Sequence, residues 1–439
     1  RKLAPARVTV MQSTGGTVSA AAAGDMAVRL LLSGPAGGLM GARFAGEQAG
    51  HARLLTFDMG GTSTDVALIE GDIRLTSEGR IGPWPVAVPM VDMHTIGAGG
   101  GSIAVVDAGG LLQVGPESAG ADPGPACYGQ GGEQATVTDA NLVLGRLLPD
   151  AFLGGAMRLD VAAAHRAVSQ VAGALHMDTE AAAAGIVALA NEHMVQALRV
   201  ISVQRGVDPG RHVLVSFGGA GGLHVCALAE ALGMQHALVP VQAGVLSALG
   251  MLVAPRARQL SRTLKGMLTG FSTQALQRQL ESLAVTGRKE LQAEGVAVTG
   301  IHANFSLDLR YRGQSSTLVL TWRGITATEA AFHLAHERRY GHRLNTPVEV
   351  VNLRCSLQGP APSVRLPELP PAPPGAAAPG RARVHGCAGD VPVWSRALLG
   401  AGSVFAGPAV ITETVATTWL PFGWRCTVDA CGNLLLERD

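Results

Sequence analysis

Short apolar runs separated by clusters of glycine dominate the first 256 residues of the chain. Residues 51–145 follow the two-residue alternation of β-strands, interrupted by glycines. From about residue 158 to 206 the apolar positions take the spacing of a helix. A strand, HVLVSF, then leads through GGAGG into a further helix, LHVCALAEALG. Because apolar strands alternate with helices, this part predicts an α/β core.

The pattern changes after residue 256. A polar helix is predicted over Thr273–Glu294, strands around FSLDLRYRGQSSTLVL, and another helix near Thr328–Arg339. Prolines crowd the stretch that follows, which predicts a stiff linker, and short strands and turns come after it. The chain is therefore expected to contain an α/β domain (1–256), an α+β region (257–366), a Pro-rich linker (367–381) and a small C-terminal β domain (382–439).

Composition narrows the range of partners. The 439 residues carry a net charge of +1, without the basic face or stripe that binds nucleic acid. The stretch Ala237–Pro255 is long enough to span a membrane, but Pro240, Gln242 and two glycines interrupt it. We therefore predict a buried strand, loop and helix there, and neither nucleic acid nor a membrane as a partner.

Cysteine usage and the start of the chain bear on its location. The six cysteines form no CxxC pair, and a chain of this size needs no disulfide scaffold. The sequence shows no signal peptide, so a reducing cytoplasm is the expected location. It begins with Arg1 rather than methionine, from which we expect a protein that continues upstream.

The segment LLTFDMGGTSTDVALIEGDIRL, residues 54–75, carries the strongest chemical signal. A strand ends at Asp58, glycines and hydroxyl residues follow, and Asp65 precedes a second strand. Glycine N–H groups can approach a phosphate closely, hydroxyls add donors, and Asp58 can hold Mg²⁺ through water or orient a nucleophile. A plain hairpin with a tight turn is the alternative. The predicted phosphate-binding residues are Gly60, Gly61, Thr62, Ser63 and Thr64.

Two further glycine loops follow strands. The loop SFGGAGGLH, Ser216–His224, joins a strand to a helix, and its small residues would let a flat ligand approach. We expect His224 to support this loop rather than to act as a base. The loop after His94 is also rich in glycine, but its spacing is not GxGxxG and a strand follows it, so we expect it to border nucleotide or substrate. The candidate substrate contacts are His94, Gly99 and Gly100.

Asp92 and His94 offer a second candidate metal site. They lie two residues apart on a predicted strand, and therefore on the same face. A carboxylate and an imidazole can share a metal ion. A hydrogen-bonded structural pair is the alternative.

Several long motifs occur in the order found in the hydantoinase A/5-oxoprolinase/acetone carboxylase β-subunit family. They are MQSTGG, LLSGPAGG, TFDMGGTSTDV, VPMVDMHTIGAGGGSIA, VGPESAGADPGPACYG, TVTDANLVLGRL, FGGAGGLH and GVLSALGML. The C-terminal GPAVITE also resembles the tail of that family. The resemblance spans essentially the whole chain. It implies an actin-like ATPase core, the fold shared by sugar kinases, Hsp70 and actin.

The resemblance implies an ATP-dependent hydrolase subunit that phosphorylates a cyclic amide, such as a hydantoin, N-methylhydantoin or 5-oxoproline, for ring opening. Phosphorylation turns a reluctant amide oxygen into a good leaving group and couples the step to ATP. ATP and Mg²⁺ are the implied cofactors, with Asp58 and Asp65 as catalytic residues and Asp58 at the Mg²⁺. Gly218, Gly219 and Gly221 would border the adenosine.

Two departures from the family pattern stand out. Members of the family begin with another glycine–threonine phosphate loop, which this sequence lacks, so we expect one lobe of the nucleotide cleft to come from elsewhere. The adenosine loop also has Gly222 where the family usually has proline.

Three alternatives for the function stay open. The chain is a cyclic amide hydrolase subunit, the β subunit of an ATP-dependent ketone (acetone-type) carboxylase, or an inactive truncated chain or scaffold. The sequence offers no convincing Ser-His-Asp, Cys-His or multi-histidine set for attack on a carbonyl. A hetero-oligomer with a hydantoinase B-type partner subunit is therefore expected.

Overall fold

The computed structural model describes residues 8–76, 79–81, 84–86, 88–373, 378 and 380–439, which form a mixed α/β fold. The strands, in chain order, are β1 Thr9–Met11, β2 Thr17–Ser19, β3 Arg53–Met59, β4 Thr64–Glu70, β5 Asp72–Ile73, β6 Leu75–Thr76, β7 Gly79–Ile81, β8 Trp84–Val86, β9 Met90–Val91, β10 Met93–Ile96, β11 Ser102–Val106, β12 Leu112–Ser118, β13 Val213–Phe217, β14 His236–Val239, β15 Ala257–Met267, β16 His302–Tyr311, β17 Leu318–Thr321, β18 Val348–Gln358, β19 Gly380–Arg383, β20 Asp390–Ser395, β21 Val404–Ala406, β22 Ala409–Thr412, β23 Thr417–Leu420, β24 Trp424–Val428 and β25 Leu434–Arg438. The α-helices are α1 Ala20–Asp25, α2 Ser33–Gln48, α3 Val137–Val143, α4 Val161–Leu175, α5 Thr179–Ile201, α6 Val225–Ala231, α7 Leu246–Val253, α8 Thr273–Ala293 and α9 Ile325–Tyr340.

Two compact units divide the chain, and each combines segments that are distant in sequence. The unit that we call the α+β unit comprises Arg1–Ser33, Thr76–Met90 and Val253–Ser363. The unit that we call the sheet unit comprises Gly34–Leu75, Val91–Leu252 and Val364–Asp439.

The sheet unit is built on a nine-stranded mixed sheet. Along the sheet the strands follow the order β10, β4, β3, β13, β14, β25, β24 and β21, and β5 pairs with β4. The three central strands β3, β13 and β14 are parallel, whereas their outer neighbours run antiparallel. Every residue of β13 is buried, as expected for a strand covered on both faces. The predicted α/β core is confirmed.

The helices α3, α4 and α5 pack against one another in the sheet unit. Asp160 and Asp178 start α4 and α5, because their carboxylates accept the N–H groups of Ala163 and Ala181. The segment Thr179–Arg205 is long and apolar enough to cross a membrane, but half of its most apolar stretch is buried within the protein, as in a core helix. The stretch Ala237–Pro255 folds as most of β14, a loop and α7, as predicted.

The α+β unit contains a four-stranded antiparallel sheet in the order β15, β18, β16 and β17. The helix α8 buries Leu276, Leu280, Leu283 and Leu291 in the core that includes Leu307, Leu353 and Leu357 from this sheet. These leucines recur at the helical period, so one face of α8 is apolar. The helices α8 and α9 and the strands β16 and β17 lie where the sequence pattern placed a polar helix, strands and a second helix.

The end of the chain differs from the expected linker and separate β domain. The antiparallel pairing of β25 with β14 makes the last strands part of the nine-stranded sheet. Within the predicted linker, the N–H of Leu369 donates to Ala430 over 2.8 Å and that of Ala372 donates to Ala401 over 2.9 Å. The extended backbone that prolines favour leaves its polar groups free for such pairing. Residues 374–377 and 379 of this stretch lie outside the described residues.

Candidate active site

The segment around Asp58 forms a strand–loop–strand hairpin, as its sequence predicts. Strands β3 and β4 pair antiparallel, with Asp58 opposite Asp65 and Met59 opposite Thr64. The N–H of Gly60 donates to the carbonyl of Ser63 over 3.1 Å and closes the turn. Residues directly opposite in an antiparallel pair point to the same face, so the two carboxylates project together.

The two glycines of the turn are not required by the packing of the chain. A Cβ atom on Gly61 would meet nothing within 4 Å, and on Gly60 its nearest neighbour would be the Ser63 carbonyl at 3.9 Å. Both residues have ordinary negative or extended φ angles and are exposed. Glycine here leaves open space beside the backbone N–H groups, which suits a ligand that approaches closely.

The carboxylate pair is electrostatically unusual. Burial, together with the charge of Asp65, raises the pKa of Asp58 to about 6. Burial also raises the pKa of Asp65, although the hydroxyl of Thr95, which donates to Asp65 over 2.6 Å, opposes the shift. Neither carboxylate forms an ion pair among the described residues. Like charges held together attract a cation or a proton.

The residues present fit Mg²⁺ held in part by other ligands. Asp58 and Asp65 supply hard carboxylate oxygens, which Mg²⁺ prefers, and Mg²⁺ commonly takes only one or two protein carboxylates beside waters and phosphate oxygens. No cluster of three or more His, Cys, Asp or Glu side chains that could enclose a metal is found in the described part of the chain. A metal at this pair would thus need further ligands from a bound molecule or from water.

The loop of residues 97–101 packs on the hairpin. The N–H groups of Gly100 and Gly101 donate to the carbonyls of Gly60 and Gly61 over 3.0 and 2.6 Å. A Cβ on Gly99 would lie 2.7 Å from the backbone nitrogen of Thr62, so glycine is required there by close contact between two loops. The expectation that Gly99 contacts substrate thus gives way to a packing role, because the residue is buried against the turn.

Thr64 has a related role. Its hydroxyl is buried and donates to the carbonyl of Ala98 over 2.5 Å, which ties β4 to the same loop. Thr64 therefore positions the hairpin, while Thr62 is exposed at the turn and Ser63 half-buried, so that both stay available to a ligand.

Asp92 and His94 do not form a metal site in this structure. The guanidinium of Arg205 donates to both carboxylate oxygens of Asp92, one of them over 3.3 Å. His94 is half-buried in β10, opposite Val66 of β4. The hydrogen-bonded structural alternative explains Asp92, and its partner is an arginine rather than the histidine.

The third glycine loop meets the hairpin at Asp58. Gly218 has a φ of +81°, and a Cβ there would collide with the Asp58 carboxylate and the Met59 carbonyl. The N–H of Ala220 donates to the same Met59 carbonyl over 3.2 Å. A Cβ on Gly221 would lie 2.6 Å from the hydroxyl of Ser216, which makes this glycine a packing residue.

The departure at Gly222 also has a physical reason. A Cβ at this position would lie 2.6 Å from the carbonyl of Thr417 and 2.6 Å from the hydroxyl of Thr418. The absence of a side chain lets strand β23, near the end of the chain, approach the loop.

All three loops line one cavity of about 170 Å³. Gly60 and Gly61 of the hairpin, Gly100, and Gly219 with Ala220 form one part of its wall. Thr138 holds this wall together, because its N–H and its hydroxyl each donate to the Gly100 carbonyl over 2.8 Å. The remaining wall is mostly apolar and comes largely from two segments to which the sequence motifs assigned no site residue, Tyr128–Leu153 and Glu413–Thr417.

Two polar side chains of the cavity are His224, which was expected only to support its loop, and Asn141, which had no predicted role. Both line the cavity, and His224 is fully buried. Burial and the charge of Arg146 lower the pKa of His224 to about 3, so its ring is neutral. The sequence signal for Asn141 is its place in the motif TVTDANLVLGRL, which forms helix α3.

The chain is similar in sequence to several known proteins. Residues 1–259 match the model of the hydantoinase/oxoprolinase family. The chain is 36% identical over 444 residues to the caprolactamase subunit alpha of Pseudomonas jessenii, covering 95% of this chain and 63% of that protein. It is 33% identical to 5-oxoprolinase 1 of Arabidopsis thaliana, covering all of this chain and 36% of that protein. The chain thus spans less than two thirds of either relative.

Solved structures agree with these similarities. The crystal structure of the ATP-dependent caprolactamase from Pseudomonas jessenii matches with a TM-score of 0.86 at 34% identity, over 98% of this chain and 65% of that one. A nucleotide-free structure of acetone carboxylase matches with a TM-score of 0.78 at 28% identity, over 99% of this chain and 64% of that one.

Proposed function

Because the chain belongs to the hydantoinase/oxoprolinase family, we propose that it is part of an enzyme that uses ATP to activate a cyclic amide for ring opening. The observation that carries this proposal is the open space at Gly60 and Gly61, beside a pair of carboxylates that have no cationic partner among the residues the structure describes. The similarity to an ATP-dependent caprolactamase supports the same conclusion. The core is then of the actin-like ATPase type, whose phosphate hairpin and adenosine loop correspond to residues 58–65 and 218–222.

The residues of the hairpin divide the work of binding a triphosphate. The N–H groups of Gly61 and Thr62, with the hydroxyls of Thr62 and Ser63, donate to phosphate oxygens. Asp58 and Asp65 hold Mg²⁺, directly or through water, and the ion supplies positive charge against the phosphates. Because Gly218 has no side chain, the adenosine loop can lie directly against Asp58. The same contact therefore positions the adenosine loop and the phosphate hairpin relative to each other.

The substrate and the partner follow from the relatives. Caprolactamase and 5-oxoprolinase both act on lactam rings, which makes a cyclic amide the first candidate substrate. The name caprolactamase subunit alpha indicates a protein of several subunits, and we propose a hetero-oligomer with a hydantoinase B-type subunit. The activated amide would be protected from water if it passed to that partner within one complex.

A ketone carboxylase subunit is the second candidate. The match to acetone carboxylase over 99% of this chain favours it specifically. ATP consumption with lactams or hydantoins, compared with ketones plus bicarbonate, separates the two functions. ATP consumption with neither, by the full-length protein and its partner, would favour an inactive scaffold.

The proposal is tested by Gly61→Val in the full-length protein. The valine side chain would fill the space next to the phosphate-binding N–H groups, and its Cβ would meet nothing within 4 Å. We expect ATP turnover to fall at least about a hundredfold, the cost typical of losing one set of transition-state donors, with an unchanged melting temperature. Gly173→Val is the matched control, because a Cβ on Gly173 also meets nothing within 4 Å and lies in helix α4. Parental turnover in Gly61→Val would contradict the site.

A further inference from the structure

Two buried acceptor atoms in residues that line the cavity have no hydrogen-bond partner among the described residues. They are Oδ1 of Asn141 and Nε2 of His224. Asn141 is 1% exposed and His224 is fully buried, so bulk water does not reach either side chain freely. Buried polar atoms are nearly always paired, because an unpaired acceptor loses its hydration without compensation. Two such atoms in the walls of one cavity therefore point to a ligand that supplies the donors.

The hydrogen bonds of each side chain show that both atoms accept. Nδ2 of Asn141 donates to the carbonyl of Val137 over 3.0 Å, which leaves Oδ1 as the free end of the amide. Nδ1 of His224 lies 2.6 Å from Oδ1 of Asn191, an acceptor, so the ring proton sits on Nδ1. The ring is neutral, since burial lowers its pKa. Its Nε2 therefore carries a lone pair and no proton.

Two further polar side chains of the cavity are already engaged. The hydroxyl of Thr138 donates to the Gly100 carbonyl, and the carboxylate of Glu413 pairs with Arg396. The neighbouring walls at Phe152 and Leu223 are apolar, as suits the faces of a flat ring. The missing donors are therefore expected on the edge of a flat, largely apolar group.

We propose that Oδ1 of Asn141 and Nε2 of His224 accept the two N–H groups of the exocyclic amine of adenine, and so select ATP over nucleotides that lack this amine. The inference rests on the proposed function, which brings ATP to the hairpin at Gly60 and Gly61 in the same cavity. The amine is the only N–H donor of the adenine ring, and its ring nitrogens accept. A base with a carbonyl at that position would place its oxygen against the two acceptors.

The test needs no variant in its first arm. Binding of ATP to the full-length protein is compared by titration calorimetry with binding of purine riboside triphosphate, which lacks only the amine, and of GTP. We expect ATP to bind at least about tenfold more tightly than either, because removing the amine leaves two buried acceptors unpaired. Equal binding of ATP and purine riboside triphosphate would overturn the inference and leave the proposed function standing. Binding of no nucleotide would overturn both.

The second arm assigns the preference to the two residues. Asn141→Leu and His224→Phe, each made separately, are expected to reduce the preference for ATP over purine riboside triphosphate at least about threefold, through weaker ATP binding. The affinity for purine riboside triphosphate itself should stay within about twofold, which a merely structural role would not preserve. His212→Phe is the matched control, because its buried Nε2 also has no hydrogen-bond partner among the described residues and the residue does not line the cavity. A preference that is unchanged in both variants would overturn the assignment.

Discussion

Two carboxylates, one in each unit, are held in opposite ways. In the α+β unit, Asp308 is 1% exposed and accepts hydrogen bonds from Arg354, over 2.5 and 2.8 Å, and from Asn352, over 2.7 Å. In the sheet unit, Asp58 faces Asp65 and has no hydrogen-bond or ion-pair partner among the described residues. The first arrangement is complete within the protein, whereas we propose that a ligand completes the second.

Glycines show the same contrast within the sheet unit. Gly99 is needed because another backbone lies 2.7 Å from where its Cβ would be, while Gly61 has open space around that position. A glycine required by neighbouring atoms is explained by the fold. A glycine beside open space, next to a carboxylate that has no partner in the described part of the chain, is explained in our proposal by what binds there.

The largest expected effect on stability is at Asp308, whose carboxylate has its partners within the protein. Asp308→Ala removes the partner of Arg354 in a buried pair and is expected to lower the free energy of unfolding by about 3 kcal/mol, as for other broken buried pairs. Chemical denaturation measures this change. Asp72→Ala, at a side chain that is 94% exposed, is the control and should change little. If Asp308→Ala unfolds at the same denaturant concentration as the parent, the pair is not structural.

Replacement of Asp58 is expected to change the free energy of unfolding in the opposite direction. Its pKa of about 6 exceeds the ordinary value of 3.8, so the folded chain binds more protons than the unfolded chain between these values, and stability falls as the pH rises through them. The penalty is complete above about pH 6. Asp58→Asn removes the charge and should raise the free energy of unfolding at pH 7.5 by about 1–2 kcal/mol, allowing for its partial exposure.

At about pH 4 the same variant and its parent should differ much less, because the parent carboxyl is then mostly protonated in the folded state. Thermal melting at the two pH values measures the difference, and ATP turnover by Asp58→Asn should fall sharply at both. A variant that is less stable than the parent at pH 7.5 would show that Asp58 has a stabilising partner and belongs with Asp308.

The smallest effect is expected at Asp92. Its ion pair with Arg205 is partly exposed, so Asp92→Asn should cost less than about 1 kcal/mol of stability and leave the Mg²⁺ dependence of ATP binding unchanged. Denaturation and nucleotide titration at several Mg²⁺ concentrations measure both quantities. A weakened Mg²⁺ dependence would return Asp92 to the group of ligand-binding carboxylates.

Local sequence predicted the parts of the site that lie close together in the chain. The hairpin from Asp58 to Asp65 is one strand, one turn and one strand, and its pattern of apolar residues and glycines was sufficient. The packing of Gly99 on Thr62 was not predictable, because no local pattern encodes which loops meet.

The pairing of strands that are distant in the sequence could not be predicted from the local pattern of apolar residues either. The pairing of β25 with β14 joins residues about two hundred positions apart, and the short strands before it looked like an independent domain. The cavity wall at Glu413–Thr417 comes to the site through this C-terminal segment, and the free acceptor of Asn141 becomes visible only when its partners are known.

The most direct measurement is a structure of the full-length protein with Mg²⁺ and a non-hydrolysable ATP analogue. We expect phosphate oxygens about 3 Å from the N–H groups of Gly61 and Thr62, the metal beside Asp58, and the base in the cavity with Asn141 and His224. A nucleotide bound elsewhere on the protein, with the hairpin at Gly60 and Gly61 left free, would contradict this expectation.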